Sequence, residues 1–152
     1  MFGFSPDRRA ILNGLLDFRA SIYAAGIPNG FQWLNGSFME DVESHQDRSP
    51  NDIDVVSFIQ LPFGEDQGSL YGRAAHLFDH DAVKVAFKVD AYFEFLGVAL
   101  EERHIRQVTY WHSMWAHNRN GNWKGFFTVG LDLTDDAQAR QVLQDKGGNH
   151  ET

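Results

Sequence analysis

The chain has 152 residues, 43% of them hydrophobic and 14% aromatic, which suits one packed domain and argues against intrinsic disorder. Its formal net charge of −8 disfavours nucleic acid held by an overall field, because that affinity rests on Lys and Arg neutralising phosphates and only 13 are spread through the sequence. There is no cysteine, hence no disulfide and no thiolate metal site; no apolar run approaches the roughly 20 residues of a membrane helix, and the opening MFGFSPDRRA has no signal-peptide core, so a cytoplasmic chain without membrane contact is expected.

Ser5-Pro6-Asp7 combines an N-cap residue, a proline at the first helical position and an acid at the positive end of the dipole. Ile11, Leu15, Phe18 and Ile22 then recur at helical spacing, and Gly26 and Pro28 end the pattern, which predicts a helix over 6–25. Its role is structural, with Arg8 and Arg9 solvated. A strand is expected over 31–35, followed by the polar stretch 38–51 as a long loop, which is either functional or a tolerated insertion. A second strand is expected over 53–60, closed by Leu61-Pro62-Phe63-Gly64.

Residues 69–78 read as a short helix with Leu70, Ala74 and Leu77 inward. A third strand is expected over 85–94, with Val85, Phe87, Val89, Ala91 and Phe93 on one face and Ala86, Lys88, Asp90, Tyr92 and Glu94 on the other. Residues 101–117 predict a helix, 118–122 a turn, 126–133 a fourth strand and 134–143 a last helix opened by Thr134. The result is a single α/β domain over 1–145, a mixed sheet with helices mainly on one side, and a disordered tail over 146–152.

The chemistry concentrates between 36 and 54. In a strand Asp52 and Asp54 lie on one face and Ile53 and Val55 on the other. Two close carboxylates repel each other unless a cation stands between them, and a hard divalent ion such as Mg2+ is held by one or two carboxylates together with substrate phosphate oxygens. Gly36-Ser37, just after a strand, offers a bare backbone N–H and a hydroxyl, both phosphate donors. Phosphate donors beside a metal-binding pair point to phosphoryl or nucleotidyl transfer. If the third strand neighbours the second, Asp90 joins the pair, and Lys88 either contacts a triphosphate or pairs with Asp90. His76 and His80 are four apart but lack the metalloprotease Glu and read as surface residues. Tyr110, Trp111, His112, Trp115, Arg119, Trp123 and Lys124 form an aromatic and basic cluster. The tryptophans read as core, and Arg119 and Lys124 read equally as phosphate contacts or as solvated residues. There is no Walker phosphate loop and no local Ser/His/Asp arrangement.

Gly36-Ser37, a spacer, and then Asp52-Ile53-Asp54-Val55 resembles the pattern of the DNA polymerase β-like nucleotidyltransferase superfamily: Gly-Ser, then Asp-x-Asp between apolar residues. Gly-Ser-Phe followed by Pro-Asn-Asp-Ile-Asp-Val-Val is similar to a small bacterial family of uncharacterised nucleotidyltransferase-like proteins. The resemblance runs from about Arg8 to Leu133, with Val89-Asp90-Ala91-Tyr92 as the match to the third carboxylate. The aromatic segment followed by Lys124-Gly125 belongs to it too. The spacer from Ser37 to Asp52 is longer than those families usually show. The resemblance implies a nucleotidyltransferase-like fold and transfer of a nucleoside monophosphate from a nucleoside triphosphate to an acceptor hydroxyl. Two Mg2+ (or Mn2+) would be held by Asp52, Asp54 and Asp90, and the nucleotide by Gly36, Ser37, Lys88, Arg119 and Lys124. The expected acceptor is a protein side chain or small molecule rather than RNA, with no DNA, in a toxin–antitoxin or defence setting. The alternatives are an inert nucleotidyltransferase-like binding or regulatory subunit, and a plain structural domain whose acidic pair is coincidental.

Overall fold

A computed structural model describes residues 5–118 and 121–148. Helix α1 (Pro6–Ala24) starts as its sequence dictates: Ser5 is extended, its side chain accepts from the Arg8 N–H, and Pro6 occupies the first turn. Strand β1 (Gly30–Asn35) follows. The expected loop over 38–51 carries two short pieces, a 3-10 turn (Ser37–Met39) and α2 (Val42–Gln46), the latter capped by Asp41. Strand β2 (Ile53–Gln60) is buried along almost its whole length.

The expected third strand is corrected at its start. Residues His80–Phe87 form a helix, α5, capped by Asp79, whose side chain accepts from the Ala82 N–H. It follows α3 (Gln67–Arg73) and α4 (Ala75–Phe78), into which the single helix expected over 69–78 is divided. Lys88 closes α5 in the left-handed region, with φ 57° and ψ 36°, and β3 (Val89–Leu96) begins only after it. The alternation read over 85–94 therefore joined two elements: Val85 and Phe87 are helical, and Val85 is exposed. Helix α6 (Glu102–Trp115) matches its expectation. Strand β4 (Phe127–Gly130) is shorter than expected, and α7 (Leu133–Gly148) is longer. Asp132 rather than Thr134 caps α7, accepting from the N–H groups of Thr134 and Asp135. Of the tail expected over 146–152, residues 149–152 lie outside the described residues, and α7 runs to Gly148.

The four strands form one mixed sheet in the order β3-β2-β1-β4. β1 runs antiparallel to both neighbours and β2 parallel to β3, so α3, α4 and α5 form the crossover that parallel neighbours require. Ile53, Val55, Ile59, Val89 and Ala91 face α1 and the crossover helices, packing on Ile11, Leu15, Phe18, Ile22, Leu70, Leu77 and Val83. The other face carries a smaller cluster of Val56, Phe58 and Trp115, with Phe31, Trp33, Tyr92, Trp111 and Phe126 around it. α6 reaches that face through Trp111 and Trp115, while Ile105, Val108, Tyr110 and Met114 are exposed. The domain is thus a single α/β unit with a mixed sheet and flanking helices. No helix among the described residues is long and apolar enough to cross a membrane.

Candidate active site: an acidic cluster at the ends of two parallel strands

Strand register brings the carboxylates together. Asp54 on β2 pairs with Asp90 on parallel β3 and, across the antiparallel ladder, with Asn35 on β1. Because side chains alternate, Asp54 and Asp90 share the face opposite Ile53, Val55, Val89 and Ala91. Asp52, just before β2, joins them through a lysine that the sequence reading missed: Lys84 Nζ on α5 lies 2.9 Å from Asp52 Oδ2 and 2.8 Å from Asp90 Oδ2.

The turn after β1 closes the site from the other side. Gly36 has φ 84° and ψ −170°, a region that L side chains rarely adopt. A Cβ there would also overlap the Oδ2 oxygen of Asp54, so the carboxylate lies directly against bare backbone. Ser37 opens the 3-10 turn, in which the Gly36 carbonyl accepts from the Met39 N–H. Lys124, far away in sequence, reaches this turn: its Nζ donates to Glu40 Oε1 at 2.7 Å and to the Gly36 carbonyl at 3.5 Å. Arg8 braces the same segment from α1, donating to the carbonyls of Phe38 and Glu40 and, through two bonds of 2.7 Å, to Glu43.

Three carboxylates with one lysine in contact leave the cluster short of positive charge. Burial first, then the Asp90 and Asp52 charges, push the Asp54 carboxyl up to about 6, against the pull of Lys84 and Lys124. Among the described residues no side chain hydrogen-bonds to Asp54. Burial and the Asp90 charge push Tyr92, the next residue along on that face of β3, up to about 12. Lys84 shifts the opposite way: its hydrogen bonds to Asp90 and Asp52 hold its ammonium protonated beyond the usual lysine range. Asp90 Oδ1 is buried without a hydrogen bond, and the imidazole of His80 lies beside it, with Nε2 3.3 Å away.

Asp52, Asp54, Asp90, Gly36, Ser37 and Lys124 therefore gather at one place. Lys88 does not stand beside Asp90 on a strand face. It caps α5 with its side chain exposed, while its carbonyl accepts from the Ile53 N–H at the foot of β2. Arg119 lies outside the described residues. Arg8, expected to be solvated, is only 6% exposed. Trp111 and Trp115 pack on the sheet as expected, whereas Trp123 is exposed and rests against His117.

The donor chemistry suits a hard cation: three carboxylates, one pushed toward neutrality by burial and by the other two, and an orphaned buried oxygen on Asp90. The side chains as they stand are closed around Lys84 instead. Among the described residues, no group of three or more His, Cys, Asp or Glu is arranged to hold a metal ion.

An acidic site at the ends of two parallel strands, backed by a glycine turn, on a four-stranded α/β sheet, is the class of arrangement that the molecule presents. The chain belongs to a family of unknown function, DUF6932, whose model matches residues 1–130. That span takes in the whole acidic site and ends at the last residue of β4. No curated protein and no solved structure matches the chain.

Proposed function

We propose that the protein is a metal-dependent nucleotidyltransferase that moves a nucleoside monophosphate from a nucleoside triphosphate to an acceptor hydroxyl, breaking the α–β phosphoanhydride bond and releasing pyrophosphate. The observation that carries this reading is the convergence of Asp52, Asp54 and Asp90 against the backbone of Gly36. Asp52, Asp54 and Asp90 would hold Mg2+, in the two-ion manner that the nucleotidyltransferase resemblance implies. The ions would supply charge neutralisation for the triphosphate and acidify the acceptor hydroxyl. Asp90 Oδ1, which has no donor of its own, accepts the hydroxyl proton. Asp54 is ionised at neutral pH, above its value of about 6, and serves as an anionic ligand. The Gly36 N–H and the Ser37 hydroxyl donate to phosphate oxygens. Lys124 fixes the turn through Glu40 and adds positive charge near the phosphates. With a net charge of −8 and 13 Lys and Arg, the chain is poorly suited to grip a long RNA, which favours a protein side chain or a small molecule as acceptor.

The test is incubation of the purified protein with Mg2+ and each labelled nucleoside triphosphate, in parallel with cell lysate and with total tRNA at low salt. Transfer to a protein or small molecule that vanishes in Asp54→Asn supports the reading. Transfer to tRNA, weakened by Lys124→Ala, would keep the activity and overturn the choice of acceptor. No transfer to any acceptor would favour a second reading, an inert nucleotidyltransferase-like binding or regulatory subunit. What favours that reading is Lys84, whose ammonium already satisfies Asp52 and Asp90.

A further inference from the structure

We propose that Lys84 is a tethered cation that occupies the divalent-ion position between Asp52 and Asp90, and that the ion binds by displacing it. The inference rests on the metal-site reading above and concerns how that site is loaded.

The two contacts of Lys84 are nearly equal, 2.9 Å to Asp52 Oδ2 and 2.8 Å to Asp90 Oδ2, so the ammonium sits astride two acids from different elements, as a bridging ion would. Lys84 leaves the second oxygen of each acid uncontacted, and Asp90 Oδ1 has no hydrogen bond, with His80 Nε2 3.3 Å away. Lys84 brings one positive charge to three carboxylates, where one divalent ion brings two. The exchange therefore favours the ion, and it reduces the surplus negative charge that Lys84 leaves uncompensated around Asp54. The lysine is also free to leave. It projects from the second, last turn of α5 on a flexible four-carbon stem, and its side chain is 42% exposed, against 14% for Asp90. The other lysine near the site, Lys124, pairs with Glu40 rather than with Asp52 or Asp90. Without an ion, Lys84 keeps the carboxylates from driving the strand ends apart. With one, its ammonium swings out.

The wild-type chain tests this directly. Lysines are labelled by reductive methylation in EDTA and in saturating Mn2+, and read residue by residue by mass spectrometry. Lys84 labelling is expected to rise severalfold with Mn2+, while the exposed Lys88 stays constant. In calorimetry without nucleotide, Lys84→Gln is expected to bind Mn2+ about tenfold more tightly than wild type, the scale on which groups beside the ligands set metal affinity. Unchanged Lys84 labelling, or equal or weaker Mn2+ binding by the variant, overturns the displacement. Asp54→Asn separates the two claims. If Mn2+ binds wild type and Lys84→Gln equally, and Asp54→Asn poorly, only the role of Lys84 fails. If no binding depends on Asp54, the metal-site reading fails with it.

Discussion

Arg8 and Arg19 are two of the most buried charges in the protein, at 6% and 3% exposure, and each has a partner for every nitrogen of its guanidinium. Arg8 meets Glu43 and two carbonyls; Arg19 meets Asp136, Gln32, Tyr23 and the Gly130 carbonyl. Each ties α1 to segments far along the chain: Arg8 to the 38–43 turn, Arg19 to the end of β4 and the first turn of α7. The acidic cluster differs. Among the described residues no side chain hydrogen-bonds to the Asp54 carboxylate, Asp90 has an oxygen with no hydrogen bond, and one lysine serves both Asp52 and Asp90. A buried polar group left short of partners costs stability. Stable packing explains the arginine sites completely and leaves the acidic site short of partners.

The comparison breaks most visibly at the arginines. Arg19→Met removes one member of a buried, fully paired network, leaving Asp136 with only the Tyr23 hydroxyl and Gln32 Oε1 without its donor. The expected loss is about 3 to 5 kcal/mol, the usual cost of breaking a buried pair, read as a fall in the denaturant midpoint. A loss below about 1 kcal/mol, the scale of an exposed pair, would mean that α7 and β4 are held by other contacts.

Acid and base titration sharpen the contrast, because the two regions have opposite slopes. Asp54 is raised to about 6. In the metal-free protein its contribution is fully favourable below the unfolded value near 4 and is lost as pH rises through 6, a change of up to about 3 kcal/mol. Glu43 is held at about 2 by its hydrogen bonds to Arg8. Its contribution is present above pH 4.5 and is lost as pH falls toward 2; partial exposure of this carboxylate limits it to about 1 kcal/mol. Melting curves against pH in EDTA are expected to lose the acid limb in Glu43→Gln and the descending limb between pH 4 and 6 in Asp54→Asn. A descending limb that survives in Asp54→Asn would place the repulsion elsewhere.

The smallest expected effect concerns Lys88. A non-glycine residue in the left-handed region costs up to about 1 kcal/mol, so Lys88→Gly is expected to be neutral or stabilising by that amount in thermal melts. A loss of stability would show that the lysine side chain contributes more than a cap.

Lys88 also marks where the sequence was hardest to read. Asp54 was legible because a strand's two-residue period fixes faces, whereas Asp52 stands just before β2 and reaches the cluster through Lys84. Residues 85–94 alternate too, but the alternation crossed from a helix into a strand at a residue whose positive φ no local pattern announces. Reading those residues as one strand placed Lys88 beside Asp90 and hid Lys84, four residues earlier on α5, which holds that position. One local signal was available: Asp79 followed by Asp81 is an N-cap with an acidic first turn. Arg8 was misread for another reason. Its partner Glu43 is 35 residues away, and only the folded chain brings α2 against α1.

The central claim is that Asp54 serves a bound cation rather than the fold. Its most direct test is the melting temperature of wild type and Asp54→Asn, each in EDTA and in saturating Mg2+ with nucleoside triphosphate. Removing one of several like charges relieves repulsion, so the variant is expected to melt at or above wild type in EDTA. Ligand binding to the native state should then stabilise wild type alone and reverse the order. A large loss of melting temperature for Asp54→Asn in EDTA, or equal stabilisation of both proteins by Mg2+ and nucleotide, would contradict the account.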